Sequence, residues 1–339
     1  MFCLRIECEG DGRGMDIKGY IRSKMIPIIG NLRTYKPLYD YYAPLSDEVP
    51  LVYNRDGRPY DFYFIRDIHW AKSPYEGVGK YFIYDRYNWG LRTHFYTHNA
   101  MLQTMGQPTR KYGMMVESRS IVPKDYDIFK KHRGLEREFE KIFAFDDEIL
   151  NSISNVCFYP AGAEVWYGKK AGTLNDKIYE EKTRNVSFLS SDKTMCEMHK
   201  KRVAAARFCH SNHLADVYGK VIGGNYVDIE KPLEKYRFSF AIENNQTDYY
   251  FTEKITNCFA SQTIPIYLGA KKISEFFNEE GIIFIEEKDL ESLEKVLKQC
   301  TAEEYERRLP AILDNYQRVQ KYLNIQDYLY ENYLSKYNG

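Results

Sequence analysis

The sequence predicts an α/β protein whose second half is a mostly parallel sheet covered by helices. Two observations carry that expectation. From about residue 185 onward, short apolar runs alternate with helical stretches, the winding of β-α-β units. Two of the strand-like runs also end on a glycine, at Gly219 and Gly269, as chains do when they turn out of a sheet.

Taken in order, the first hundred residues are broken by Pro, Gly and Tyr around short apolar runs at Met25–Ile29, Phe62–Ile65 and Tyr81–Tyr84, which read as strands. The run Met114-Met115-Val116 leads into Glu117-Ser118-Arg119. Residues Asp125 to Lys141 read as a charged helix, Ile142–Phe145 as a strand, Asp146-Asp147-Glu148 as a helix start and Val156–Tyr159 as another strand. In the second half the expected strands are Val186–Leu189, Ala215–Tyr218, Phe238–Ile242, Thr263–Leu268 and Ile282–Ile285. Helices are expected over Lys193–His210, Glu253–Ser261, where Ile255, Cys258 and Phe259 share one face, and Ile273–Phe277. From Ser292 to the end the pattern is helical and polar. A boundary near Tyr167–Thr183 divides the chain into residues 1–175, residues 176–305 and a helical tail, 306–339. The tail is rich in tyrosine (Tyr316, Tyr322, Tyr328, Tyr330, Tyr333, Tyr337) and is expected to pack back on the first part.

Composition narrows the function classes. Lysine plus arginine and aspartate plus glutamate number 48 each, so no global field draws the 339-residue chain to nucleic acid or an anionic membrane. No stretch approaches the roughly 20 apolar residues of a membrane span, and the start has no secretory core. Seven scattered cysteines without a C-x-x-C pair read as reduced thiols, so the expected setting is the cytoplasm, with peripheral contact at an inner membrane left open. Accordingly, Asn185-Val186-Ser187 and Asn245-Gln246-Thr247 read as chance matches to a glycosylation pattern. Gly10-Asp11-Gly12-Arg13-Gly14 lacks the Lys-Ser/Thr ending of a phosphate loop and reads as a turn.

The densest chemistry lies between Tyr236 and Lys254. Glu243 and Asn244 follow a strand, where ligands collect in parallel sheets. Thr252-Glu253-Lys254 opens a helix whose N–H groups and dipole favour phosphate. Lys254 adds a charge, Glu253 can accept from ribose hydroxyls, and Tyr250 can lie against a base. On spacing alone, a Thr N-cap with a glutamate in the first turn is the simpler reading.

The ordered set of Glu243-Asn244, Tyr250-Phe251-Thr252-Glu253-Lys254 and Thr263-Ile264-Pro265-Ile266-Tyr267-Leu268-Gly269 resembles the donor-site signature of the α1,3/1,4-fucosyltransferases, glycosyltransferase family 10. Upstream, Arg202 in a helix followed by Asp216-Val217-Tyr218-Gly219 is similar to the family's arginine helix and its next strand. The resemblance covers about residues 185 to 285 and is patchy before them. It implies the GT-B architecture, two Rossmann-like domains facing each other across a cleft, and inverting transfer from GDP-fucose to a hydroxyl of an acceptor glycan. An α1,3-type linkage on a bacterial surface polysaccharide or lipopolysaccharide is the expected product. No essential metal is implied, so Asp146-Asp147-Glu148 reads as helix capping. Arg202, Glu243, Asn244, Tyr250, Thr252, Glu253 and Lys254 would hold the donor, with Lys200 and Lys201 as near neighbours of Arg202. Glu117 would be the general base, with His69, His94, His98 and Glu76 as competitors; Tyr87, Trp89 and Tyr96 are candidates to line an acceptor groove. The alternatives are a transferase of the same fold using another GDP-sugar, and a non-catalytic protein that binds nucleotide or glycan.

Overall fold

The structure, a computed structural model, describes residues 66–70, 82–86, 93–103, 110–168 and 174–335. The expected strands Met25–Ile29 and Phe62–Ile65, the Gly10–Gly14 turn, Glu76, Tyr87, Trp89 and Tyr337 lie outside these residues.

Two sheets form the frame. The first joins β1 (Arg66–Trp70), β2 (Phe82–Arg86), β3 (Thr93–Thr97), β4 (Arg110–Met114), β5 (Lys141–Ala144) and β6 (Val156–Phe158) in the order β2-β1-β3-β4-β5-β6. The β1 strand pairs antiparallel with β2 and β3, and β3 through β6 run parallel. Alternate residues go to opposite faces, as the strand period of two requires. Thus Phe95, Tyr112 and Phe143 join one apolar cluster, while Tyr96, Ile142 and Ala144 join another. Tyr96 is fully buried there, so it packs the core and does not line a groove.

The second sheet is all parallel: β7 (Arg184–Leu189), β8 (Asp216–Tyr218), β9 (Tyr236–Ile242), β10 (Ile264–Leu268) and β11 (Ile283–Phe284) in the order β11-β10-β9-β7-β8. Every residue of β10 is buried, the mark of a central strand covered on both faces. Phe188 and Phe240 stack across β7 and β9 with centroids 4.3 Å apart. The chain lays β8 on one side of β7, then returns to place β9 on the other. That reversal makes a switch point, and in open parallel sheets ligands bind beyond the carboxyl ends of the strands at such a point, here those of β7 and β9.

Helices α1 (Ile128–Lys131) and α2 (Asp147–Ser152) belong to the first half. Helices α3 (Glu197–Ser211), α4 (Glu253–Ala260), α5 (Leu293–Leu297), α6 (Ala302–Val319) and α7 (Ile325–Leu329) follow in the second. The expected helix from Asp125 to Lys141 is not continuous. Gly134 takes φ 90°, a left-handed conformation that ends any helix, and only single turns flank it. The helix expected from Lys193 starts at Glu197, because Cys196 is extended (φ −138°, ψ 168°) and leaves Lys193 in a loop. The expected helix Ile273–Phe277 is a 3-10 turn over Ile273–Glu275.

The carboxyl ends of the two sheets meet. One apolar cluster runs through both halves, from Phe95 and Phe143 to Phe240 and Ile266. The tyrosines after α6 return to the first half. Tyr333 packs 5.4 Å from Phe143 and donates to the Phe158 carbonyl, the Val165 amide donates to Tyr322 O at 3.0 Å, and Tyr159 Oη donates to Ile325 O at 3.3 Å. Among the described residues, no helix is long and apolar enough to cross a membrane.

Candidate active site

Glu243 is the first residue beyond β9, and its amide still donates to Leu268 O at 2.8 Å. Its carboxylate turns inward and is fully buried. It accepts from the Thr252 amide and the Thr252 hydroxyl at 2.8 Å, and from Lys254 Nζ at 3.1 Å. Burial pushes the Glu243 carboxyl upward, against the pull of Lys254. The expected donor contact from Glu243 therefore becomes an indirect one: the side chain ties the Thr252–Lys254 turn to the end of β9. Gly269 leaves room for it, since a Cβ there would lie 2.7 Å from Glu243 Cγ.

Thr252 caps α4, its hydroxyl accepting from Lys254 N at 3.5 Å, and is 4% exposed. The Glu253 amide donates to Gly162 O at 2.7 Å, across from the first half. The phosphate role expected of free N–H groups on this helix is thus limited, because the first two amides already have acceptors. The Lys254 side chain is 26% exposed and its ammonium donates to Glu243 Oε2 at 3.1 Å, Thr252 Oγ1 at 2.9 Å and Glu253 Oε1 at 3.2 Å, so it offers a ligand its charge, and a donor only by exchanging one of these partners. Burial lowers its pKa, but Glu243 and Glu253 outweigh that and raise it, so it stays charged.

Arg202 stands on α3, and of the three basic residues in sequence it is the one turned inward. Lys200 and Lys201 pair on the surface with Glu197 and Glu287. Arg202 is 7% exposed, and its guanidinium donates through Nη1 to Ile242 O at 3.1 Å, which places it at the carboxyl end of β9. Its Nε has no acceptor among the described residues. Burial lowers its pKa, and Glu243 and Glu253 counter that. A buried guanidinium at the carboxyl end of β9, with a donor that no described residue accepts, sets positive charge where parallel sheets collect anionic ligands.

Asn244 and Tyr250 bind the halves together. Asn244 Oδ1 accepts from Ser118 Oγ at 3.1 Å, and its carbonyl accepts from Ser120 Oγ at 2.9 Å. Tyr250 is buried against Phe145 with centroids 5.0 Å apart, which leaves little ring surface for the base contact expected of it. Asp147 accepts twice from Asp248 N, at 2.9 and 3.1 Å. Asp146 caps α2 through Ile149 N and holds Arg119 in a two-bond fork at 2.7 and 3.0 Å.

Glu117 lies just past β4, partly buried, with no hydrogen bond to its carboxylate among the described residues. Burial raises its pKa, Lys193 and Lys254 lower it, Glu253 raises it, and the net direction is up. It is therefore a solvent-reachable carboxylate of enhanced basicity, within electrostatic reach of the donor-side cations. His98 is no rival base. It is fully buried, and its Nε2 accepts from the Val116 and Glu117 amides at 3.0 and 2.9 Å. His69 and His94 lie on β1 and β3.

Two residues of this locale are missed by sequence reasoning. Lys193 is hidden because the helix is expected to start there. His199 is 5% exposed, its Nδ1 has no partner among the described residues, and it stands one turn before Arg202 on α3. The i, i+3 spacing from Arg202 is the signal that points to it.

Two α/β sheets meet at their carboxyl ends, with Arg202 and Lys254 on one side and the Glu117 carboxylate on the other, an arrangement of the kind expected of the GT-B architecture. Residues 179–333 match the family model described as "Glycosyltransferase family 10 (fucosyltransferase) C-term". The chain is similar to the alpha-(1,3)-fucosyltransferase FucT of Helicobacter pylori, 36% identical over 62 residues; the alignment spans 18% of this chain and 13% of the relative. Among solved structures, an alpha1,3-fucosyltransferase with GDP aligns with 72% of this chain and 78% of its own, at 16% identity and TM-score 0.46. The Anabaena HepE protein with UDP and glucose aligns over 73% and 78%, at 9% identity and TM-score 0.49.

Proposed function

We propose that the protein is an inverting fucosyltransferase that moves fucose from GDP-fucose to a hydroxyl of an acceptor glycan. The acceptor class we assign is a bacterial surface polysaccharide or lipopolysaccharide, through an α1,3-type linkage, with the enzyme acting in the cytoplasm or peripherally at the inner membrane. One observation carries the transfer reading: the Glu117 carboxylate, without a hydrogen bond among the described residues, stands on a loop that Ser118 and Ser120 tie to Asn244 just beyond β9 at 3.1 and 2.9 Å. The family domain over residues 179–333 supports the choice of sugar.

In this reading Glu117 takes the proton of the acceptor hydroxyl as its oxygen attacks the anomeric carbon, and the bond from that carbon to the diphosphate oxygen breaks. Charge gathers on the departing GDP, and the unused Nε donor of Arg202 and the ammonium of Lys254 meet it. Those two cations stand where some transferases use a metal, so chelator treatment is expected to leave turnover unchanged. Asn244, which holds both the Glu117 loop and the end of β9, sets base and donor in one frame. Turnover of GDP-fucose with a panel of acceptor glycans tests the proposal. Transfer from another GDP-sugar would replace the sugar assignment, and binding without any turnover would favour the non-catalytic reading.

A further inference from the structure

His98 has chemistry that the transfer reading leaves unused. It is fully buried at the end of β3, with φ 53°, a left-handed backbone that a histidine adopts at a cost. Two backbone amides, those of Val116 and Glu117, point at the same ring nitrogen, Nε2, at 3.0 and 2.9 Å. A nitrogen that accepts two N–H groups carries no proton. The ring is therefore neutral, with its hydrogen on Nδ1, the edge turned to Asp125 Oδ2 at 3.6 Å. Burial agrees with this, lowering the His98 pKa to about 4.

The same peptide is held from its other side. Tyr126 Oη donates to Glu117 O at 2.6 Å, and the Tyr126 ring lies edge-on to His98 with centroids 6.3 Å apart. Residue 118 then reaches Asn244 of the other half. The Glu117 backbone is thus fixed through its amide, its carbonyl and its next neighbour, while its carboxylate stays free.

We propose that His98 is a positioning residue, whose unprotonated Nε2 gathers the Val116 and Glu117 amides and thereby aims the Glu117 carboxylate at the acceptor hydroxyl. This rests on Glu117 being the base. A loop residue without this anchor would sample orientations, and a misplacement of about 1 Å in a reacting group costs on the order of a hundredfold in rate. Binding of GDP, which is assigned to the other half, would not change.

The full chain is the material for the test. In His98→Gln the amide oxygen can take the place of Nε2 as acceptor, whereas His98→Phe keeps volume and removes the acceptor. The expected result is a kcat reduced about tenfold to a hundredfold in His98→Phe, with KM for GDP-fucose and calorimetric GDP affinity within about twofold of wild type and substantial recovery of kcat in His98→Gln. Wild-type kcat in His98→Phe overturns the proposal, and so does loss of kcat in step with GDP affinity. Nitrogen-15 NMR of the wild-type imidazole gives a reading independent of folding of the variants and of turnover. An unprotonated Nε2 with a protonated Nδ1 at neutral pH is expected, and a protonated Nε2 overturns the proposal even if Glu117→Gln abolishes transfer. If the tautomer is as expected while Glu117→Gln transfers at the wild-type rate, the base assignment fails and the positioning role falls with it.

Discussion

Replacing Lys254 by methionine separates what this side chain does for the fold from what it does for the donor. Its Nζ stands 3.1 Å from Glu243 Oε2, 2.9 Å from Thr252 Oγ1 and 3.2 Å from Glu253 Oε1. At about 3 Å and an effective dielectric constant near 20, attraction to Glu243 is on the order of 5 kcal/mol. That figure is a ceiling, because the Lys254 side chain is 26% exposed and Glu243 keeps the Thr252 amide and hydroxyl as donors. Breaking a buried pair from one side costs about 3–5 kcal/mol, and the exposure points to the lower end. About 3 kcal/mol corresponds to a fall in Tm of roughly 6–12 °C at about 2–4 °C per kcal/mol. GDP loses a charge-assisted contact of about 1.5–3 kcal/mol, so its Kd rises about tenfold to 150-fold. Adding Glu243→Gln removes the stranded carboxylate while leaving an acceptor for Thr252. The double variant is expected to recover most of the Tm and none of the GDP affinity, read by calorimetric scanning and titration. If affinity returns together with Tm, Lys254 only neutralises Glu243, and its assignment to phosphate is wrong.

Glu117→Gln is expected to lower transfer about a hundredfold to ten-thousandfold while GDP binds as before; an unchanged rate moves the base elsewhere. His199 is held at about 4 by burial first and then by Arg202, Lys254 and Lys193. A bound diphosphate offsets those cations and raises that pKa, so GDP binding near pH 5.5 should take up protons. Titration in buffers of different ionisation enthalpy reads this uptake, and a signal that survives His199→Gln contradicts the assignment. Lys182 is buried, donates to Leu233 O and Thr263 Oγ1 at 2.9 and 2.8 Å, and is lowered to about 7, chiefly by burial. Its unfolded form binds the proton up to about pH 10.4, so its contribution to stability is least below pH 7 and rises with pH through that window. Denaturant unfolding of wild type against Lys182→Met should differ by about 1.4 kcal/mol per pH unit between pH 7.5 and 8.5, and equal slopes would refute the burial argument.

The second half was legible because each element is written in local pattern. The apolar run Phe238–Ile242 and the face made by Ile255, Cys258 and Phe259 need only a period of two or near four to be read. The fork of Thr252 and Lys254 around Glu243 was not legible. The burial of that carboxylate depends on β10 lying beside β9 and on Gly269 making room, and neither is local. Strand order is hidden for the same reason, so the switch point between β7 and β9 appears only in the fold. Between Asp125 and Lys141 the dense charge imitates a helix. The left-handed Gly134 breaks it, and the buried residues Tyr126, Ile128 and Phe139 are spent on packing under β4 and β5. Lys193 and His199 escape the local pattern, because a helix expected from Lys193 but starting at Glu197 leaves Lys193 in a loop whose charge acts on Glu117 and His199.

Turnover of GDP-fucose by wild type and by Glu117→Gln, with a mixed panel of acceptor glycans, tests the central claim most directly. The account predicts a fucosylated product with inverted anomeric configuration, GDP released in equal amount, and loss of both with the Glu117 substitution at unchanged GDP affinity. Binding of UDP or ADP in preference to GDP, or an equal rate from the Glu117→Gln protein, would contradict it.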